Sequence, residues 1–214
     1  MPSRSQLQLA LDMTSAADAI KMVQMVYPHF DIAEIGTPLL IEEGLDALEA
    51  LQSLHPDKHY LADTKIVDAG YLEASSAFKR GADIVTVLGV ADDRTIQDTL
   101  KAAREYGGRI MVDLLHCDDP LGRAVELDEM GVGIICLHTA VDCQAPGVDP
   151  LAELFAVRGA VGCLIAVAGG LKLENVGKAA GSGADIVVVG SGITGAGDPS
   201  EVARQIVQKL GGAQ

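Results

Sequence analysis

Short apolar runs recur along the chain at nearly regular intervals, separated by segments with helical patterning. The runs begin near Leu7, Asp31, His59, Asp83, Arg109, Gly133, Cys163 and Asp185. Successive starts lie 22 to 30 residues apart, the room that one strand, one helix and two short loops require. Eight such units predict an α/β fold, a (β/α)8 barrel in a single domain over residues 1–214. Gly-Ala-Asp-Ile-Val at 81–85 and again at 183–187, with Gly-Val-Gly-Ile-Ile at 131–135, supplies the punctuation. Each glycine reads as the residue just past a helix, and each following run as the next strand. An open doubly wound sheet is the alternative, which eight regular units and the lack of a Gly-x-Gly-x-x-Gly turn fit poorly.

The helices carry ordinary caps: Thr14 or Ser15 opens the first, Asp92 or Asp93 the fourth, and Asp198-Pro199-Ser200-Glu201 the last. Lys101, Arg104 and Glu105 read as a solvated helix face.

Composition sharpens this picture. Hydrophobic residues make up 49% of the 214, yet aromatics only 3% with no Trp, so the core is Val, Ile, Leu and Ala. That suits parallel strands buried under helices. A net charge of −14 argues against nucleic acid or an anionic membrane as partner, since both demand a basic footprint. The Met-Pro-Ser-Arg-Ser-Gln start runs into a strand without an apolar signal segment. The longest apolar stretch, near Val161 to Ala168, is far short of the ~20 residues a spanning helix needs. We therefore expect no export, no membrane and a cytoplasmic enzyme. Cys117, Cys136, Cys143 and Cys163 form no Cys-x-x-Cys pair and read as buried, reduced thiols.

Polar residues at strand ends carry the candidate chemistry, because the C-terminal rim of a barrel faces substrate. The third strand, read as the run Tyr60-Leu61-Ala62, gives way to a turn with Asp63, Lys65 and Asp68. Asp63 and Lys65, two apart, project to one face of an extended segment. Each favours the ionised form of the other. Asp12 ends the first strand, Glu34 the second, Asp113 the fifth and His138 the sixth, with Asp142 in the loop that follows. Singly these read as an N-cap, a rim charge, a turn former and a satisfied core histidine. Asp12, Glu34, Asp63, Asp113 and Asp142, five acidic residues at one rim, repel one another unless cations neutralise them. Lys65 supplies one positive charge, and a hard divalent cation on oxygen ligands, Mg²⁺ or Mn²⁺ in its place, would supply the rest. The last two strands end instead in Gly169-Gly170 and Gly190-Ser191. Each pair is followed by a helix-like segment, a pattern that lets backbone N–H groups approach a phosphate.

The ordered set of motifs is similar to the 3-hexulose-6-phosphate synthase family, within the orotidine-monophosphate-decarboxylase superfamily of barrels. It comprises Leu9-Ala10-Leu11-Asp12, Glu34-Ile35-Gly36-Thr37-Pro38, Ala62-Asp63-x-Lys65-x-x-Asp68-Ala69-Gly70, Val85-Thr86-Val87-Leu88-Gly89, His138-Thr139-x-x-Asp142-x-Gln144 and Val167-Ala168-Gly169-Gly170. The resemblance runs from about Leu7 to the last helix. It implies a Mg²⁺-dependent aldol condensation of D-ribulose 5-phosphate with formaldehyde. Glu34 and Asp63 would then ligate the metal, Lys65 would stabilise the enediolate, His138 would be the acid or base at C1, and Asp113 would join the catalytic set. Asp12 would position substrate hydroxyls, and the Gly169-Gly170 and Gly190-Ser191 backbones would hold the phosphate. The superfamily also implies a homodimer with shared sites, Asp68 reaching into the partner's barrel. The sister family, 3-keto-L-gulonate-6-phosphate decarboxylase, is the runner-up. It carries Arg where this chain has Val141, and Gly-Arg where this chain has Gly190-Ser191. Ala140 and Cys143 depart from the synthase pattern. A catalytically silent scaffold barrel is the reading from another class, and the joint retention of Glu34, Asp63, Lys65, Asp68 and His138 argues against it.

Overall fold

The computed structural model describes residues 4–144 and 151–211; the Met1-Pro2-Ser3 start, on which the expectation of no export rests in part, lies outside the described residues. Eight parallel strands close into a barrel in chain order. They are β1 (Gln6–Leu11), β2 (Ile32–Ile35), β3 (His59–Ile66), β4 (Ile84–Leu88), β5 (Arg109–Asp113), β6 (Ile134–His138), β7 (Leu164–Ala168) and β8 (Ile186–Val189). Each strand begins within one residue of its expected start. The expected (β/α)8 barrel is therefore the fold.

Around it lie α1 (Ala16–Val26), α2 (Thr37–Glu43), α3 (Asp46–Leu54), α4 (Gly70–Lys79), α5 (Asp93–Tyr106), α6 (Pro120–Glu129), α7 (Leu154–Ala160), α8 (Val176–Gly181), α9 (Ser191–Thr194) and α10 (Pro199–Gly211). The connection between β2 and β3, expected as one helix, is split in two. Gly44, at φ +66°, ends α2, so α3 has to start afresh. After β8, α9 is a single turn, and α10 opens at Pro199 as expected. The helix expected to be fourth is therefore α5, capped by Asp92, whose carboxylate accepts from the Arg94 N–H. Ser15 caps α1, which leaves Asp12 free of a capping role. Asp198 Oδ1 accepts from the Glu201 N–H ahead of α10.

The barrel wall divides two cores. Alternate strand residues point outward into a large aliphatic layer under the helices, among them Leu7, Leu9, Ile35, Val85, Val112 and Val187. The others, such as Ala10, Ile32, Leu61, Met111 and Ala166, fill the barrel interior. Burial of this aliphatic surface, at about 25 cal/mol per Å², dominates the stability of a chain with so few aromatics.

The Gly-Ala-Asp repeats belong to the stability face. Gly81 and Gly183 have φ of +96° and +102°, the left-handed step that follows a helix. The aspartate after them reaches sideways to the preceding strand. Asp83 accepts from the Tyr60 N–H and Asp185 from the Ile165 N–H, each at 2.8 Å. Asp31 does the same for the Leu7 N–H. These bonds tie neighbouring strands together at the N-terminal end, opposite the catalytic rim.

The cysteine expectation holds in part. All four are free thiols, but only Cys136 is buried, inside the barrel where desolvation pushes its pKa well up. Cys117 and Cys163 are half-buried and Cys143 is exposed on a 3₁₀ turn at Val141–Cys143. Among the described residues no helix is long and apolar enough to cross a membrane.

Candidate active site

Parallel strands deliver all their C-termini to one end, so the polar strand-end residues gather on a single rim. The centre is β3. Asp63 and Lys65 lie inside this strand, not in a turn beyond it as the apolar run suggests. Pairing with β4 passes from Ala62 opposite Val85 to Ile66 opposite Val87, so Asp63, Thr64 and Lys65 together face Thr86 alone. The chain bulges there, and Lys65 takes a left-handed φ of +46°. The bulge, and not simple two-residue alternation, turns the Lys65 ammonium back onto the Asp63 carboxylate in a short ion pair.

Asp63 is buried and accepts three side-chain hydrogen bonds. Its Oδ2 accepts from Lys65 Nζ and from Thr37 Oγ1 at 2.7 Å, and its Oδ1 from Thr86 Oγ1 at 2.9 Å. Burial pushes the Asp63 carboxyl up, but Lys65 and the threonine hydroxyls outweigh it and hold it below the usual carboxylate range. Burial pulls Lys65 down; Asp63 outweighs that and raises it. Both groups are held ionised.

Glu34 is the opposite case. It stands on the interior of β2 next to Asp63, and burial first, then the Asp63 charge, pushes its carboxyl up to about 8. Its one side-chain donor among the described residues is Gln8 on β1, whose Nε2 donates to Glu34 Oε2 at 2.7 Å. The Gln8 Oε1 is buried with no partner among the described residues. Asp12, on the neighbouring rim position, is also raised, by desolvation and then by Asp63. Gly36 permits that position: a Cβ there would stand 2.2 Å from Asp12 Oδ1 and 2.8 Å from Leu11 O.

Across the rim, Asp113 and His138 form a second pair. Asp113 Oδ2 lies 2.7 Å from His138 Nδ1, while Asp113 Oδ1 accepts from the Leu115 N–H. A carboxylate can only accept, so Nδ1 carries the hydrogen, and in the neutral ring that puts the lone pair on Nε2. The Asp12 carboxyl feels Lys65 and His138, and Lys65 feels Asp113 and Glu34, which makes the two pairs one electrostatic unit. His138 and Thr139 also line a cavity of about 430 Å³ bordered by Leu114, Cys117, Ala140 and Cys143.

The glycine loops differ from each other. Ser191 opens α9 directly after β8, whereas α8 starts at Val176, six residues past Gly170. Only the β8 loop thus matches the expected glycine-then-helix arrangement. Gly169, at φ +91°, packs so that a Cβ would stand 2.1 Å from Thr139 O, which locks the β7 loop against the segment carrying His138. Asp68 is exposed past the end of β3, its Oδ1 accepting from the Ala69 N–H. It is not brought into the cluster of its own barrel. Gln144 donates to Thr139 O, and Asp142 is exposed.

Sequence reasoning missed Gln8, Thr37 and Thr86 as site residues. Their signal was faint but present: Thr86 is the single polar residue of β4 and Gln8 lies between two leucines of β1, and each is buried.

The family model for orotidine 5′-phosphate decarboxylase / HUMPS matches residues 5–206. The chain belongs to that family. Within it, 3-hexulose-6-phosphate synthase of Bacillus subtilis (strain 168) is 41% identical over 206 residues, 96% of this chain and 98% of the relative. The crystal structure of 3-hexulose-6-phosphate synthase from Salmonella typhimurium superposes with a TM-score of 0.93 at 43% identity, covering 96% of this chain and 98% of that one. KGPDC from Streptococcus mutans gives a TM-score of 0.89 at 30% identity, covering 96% of this chain and 97% of that one. The orotidine 5′-phosphate decarboxylase / HUMPS barrel thus accounts for nearly the whole chain, and its rim carries the two charged pairs described above.

Proposed function

We propose that this chain is a lyase that condenses D-ribulose 5-phosphate with formaldehyde to give D-arabino-hex-3-ulose 6-phosphate. The observation that carries the reading is the pairing, on one rim, of a carboxylate-oriented histidine with a lysine held ionised by a buried aspartate. Proton removal beside a carbonyl needs a base at the carbon and a cation at the oxygens. The names of the relatives point the same way.

A divalent cation fits the donor set. Glu34 and Asp63 offer only hard oxygen ligands, and their mutual repulsion, expressed in the raised Glu34 carboxyl, is what a cation relieves. Among the described residues no third acidic, His or Cys side chain completes a cage, so water and substrate oxygens would supply the remaining ligands. When bound by Glu34 and Asp63, Mg²⁺ or Mn²⁺ would supply Lewis-acid polarisation of the substrate carbonyl.

The chain's own groups do the rest. His138 Nε2 takes the proton from C1 of the pentulose phosphate, and Asp113 stabilises the imidazolium and keeps the ring in place. Lys65 stabilises the negative charge that develops on the enediolate oxygens. C1 then attacks the formaldehyde carbon, and the proton held by His138 passes to the former formaldehyde oxygen, so no atoms are lost. Asp12 holds substrate hydroxyls. Backbone amides at Gly169, Gly170, Gly190 and Ser191 receive the phosphate, aided by the start of α9.

A homodimer with shared sites belongs to the same proposal. Ile41, Val67, Leu72 and Val90, in the segments after β2, β3 and β4, are 51 to 76% exposed. Val67 and Leu72 flank exposed Asp68 along the chain, and in a dimer that carboxylate would act in the partner's barrel. A cytoplasmic setting fits the four free thiols.

The test is turnover of D-ribulose 5-phosphate with formaldehyde, with and without Mg²⁺, alongside decarboxylation of 3-keto-L-gulonate 6-phosphate. A larger kcat/KM for the keto-gulonate would install the decarboxylase reading in place of ours. Tight binding without turnover of either substrate would leave a scaffold barrel.

A further inference from the structure

The Asp63–Lys65 pair exists only because β3 bulges, and a bulge that leaves Lys65 at φ +46° does not hold itself. The left-handed region is unfavourable for a non-glycine residue, and the ladder to β4 is interrupted over the same three residues. One side chain compensates for both. Thr86, 3% exposed on β4, accepts the Lys65 backbone N–H on its Oγ1 at 2.9 Å and donates that hydroxyl to Asp63 Oδ1 at 2.9 Å. Its carbonyl accepts from Thr64 Oγ1 at 2.8 Å. The direction of these bonds is forced. Lys65 N–H can only donate, so the hydroxyl hydrogen has to go to the carboxylate.

We propose that Thr86 is the positioning residue that holds the Asp63–Lys65 pair in its reactive geometry, acting through its hydroxyl. The hydroxyl is spent on Lys65 N–H and Asp63 Oδ1, and not on Glu34 or the His138 pair. Its effect reaches the reaction through the placement of the Lys65 ammonium and of the Asp63 carboxylate. The Val-Thr-Val run on β4 then has a physical reason: the flanking valines pack outward while the threonine turns inward to the bulge.

This inference rests on the proposed condensation, and the experiment separates the two. Steady-state kinetics are measured with D-ribulose 5-phosphate, formaldehyde and Mg²⁺ for wild type, Thr86→Val and Thr86→Ser, with thermal unfolding recorded for each. Valine keeps the shape and removes the hydroxyl, leaving the Lys65 N–H and Asp63 Oδ1 without a partner. We expect Thr86→Val to lower kcat at least about 30-fold with the pentulose-phosphate KM within about threefold, and Thr86→Ser to stay within about threefold of wild type in both. Should Thr86→Val fail to fold, Thr86→Cys, which keeps the volume but is a weak donor, takes its place with the same expectation. A hydroxyl-free variant with wild-type kcat, or a serine variant as damaged as valine, overturns the proposal, because the first makes the hydroxyl idle and the second makes the methyl packing the cause. Loss of melting temperature without loss of kcat overturns it as well. A wild-type protein with no turnover at all removes the proposed reaction, and the inference with it, before any variant is compared.

Discussion

Glu34 gives the most quantitative handle on the site. In the metal-free protein, burial and the Asp63 charge push its carboxyl up to about 8, so near pH 7 about nine-tenths of the molecules carry a proton there. A hard cation needs the carboxylate. Binding Mg²⁺ near pH 7 should therefore release about 0.9 proton per site, falling to about 0.1 near pH 9, and the apparent affinity should rise about tenfold between the two. The direction for stability follows from the same shift. A folded-state pKa above the ordinary 4.5 means that the folded protein binds more protons than the unfolded chain between those values. The stability this group contributes is fully present below about pH 4.5 and is lost as pH rises through about 8, with a slope of up to about 1.4 kcal/mol per pH unit. Added Mg²⁺ should flatten that loss. Gln8→Met removes the donor that favours the ionised form, so it should move the affinity curve to still higher pH. The assay is isothermal titration calorimetry in buffers of different ionisation enthalpy, paired with denaturant melts of the chelated protein across the same range. A Mg²⁺ binding heat near pH 7 that does not depend on the buffer would refute the reasoning, since no proton would then leave Glu34.

Asp113→Asn should keep the fold but cost about 10² or more in kcat, because an amide no longer fixes the Nδ1–H tautomer of His138 or stabilises its cation; single-turnover proton exchange at C1 of the pentulose phosphate reads this directly. Asp185→Asn, at the opposite end of the barrel, should do the reverse. It weakens the bonds to the Ile165 N–H and Arg158, costing about 1–3 kcal/mol in chemical denaturation with kcat unchanged. Lys65→Ala and Asp68→Ala, each inactive alone, should recover up to roughly a quarter of wild-type activity when unfolded and refolded together, since in a random C₂ mixture half the dimers carry one intact shared site. A mixture that contains mixed dimers and stays inactive would mean that Asp68 acts within its own chain.

The eight-fold repeat, the strand starts, the caps at Ser15 and Asp92 and the glycine steps were legible in the chain because each depends on residues close in sequence. Period-two burial, Cβ-free turns and capping side chains are local physics, and local physics survives in any window of the sequence. The residues of the rim were legible for a related reason: once the strands are parallel, every strand end faces the same way, so polar residues there gather without knowledge of distances. Apart from Asp63 with Lys65, two residues apart, tertiary structure alone decided how those residues pair. That Asp113 serves His138, that Gln8 leans on Glu34 and that Thr86 faces three residues of β3 at once are contacts between residues 21 to 26 apart, set by strand register. The bulge is the clearest instance. Nothing in Ala-Asp-Thr-Lys-Ile marks an interrupted ladder, because none of its residues is a glycine. The left-handed turn at Lys65 is tolerated only because a hydroxyl on the adjacent strand and a carboxylate two residues back are both in place to hold it.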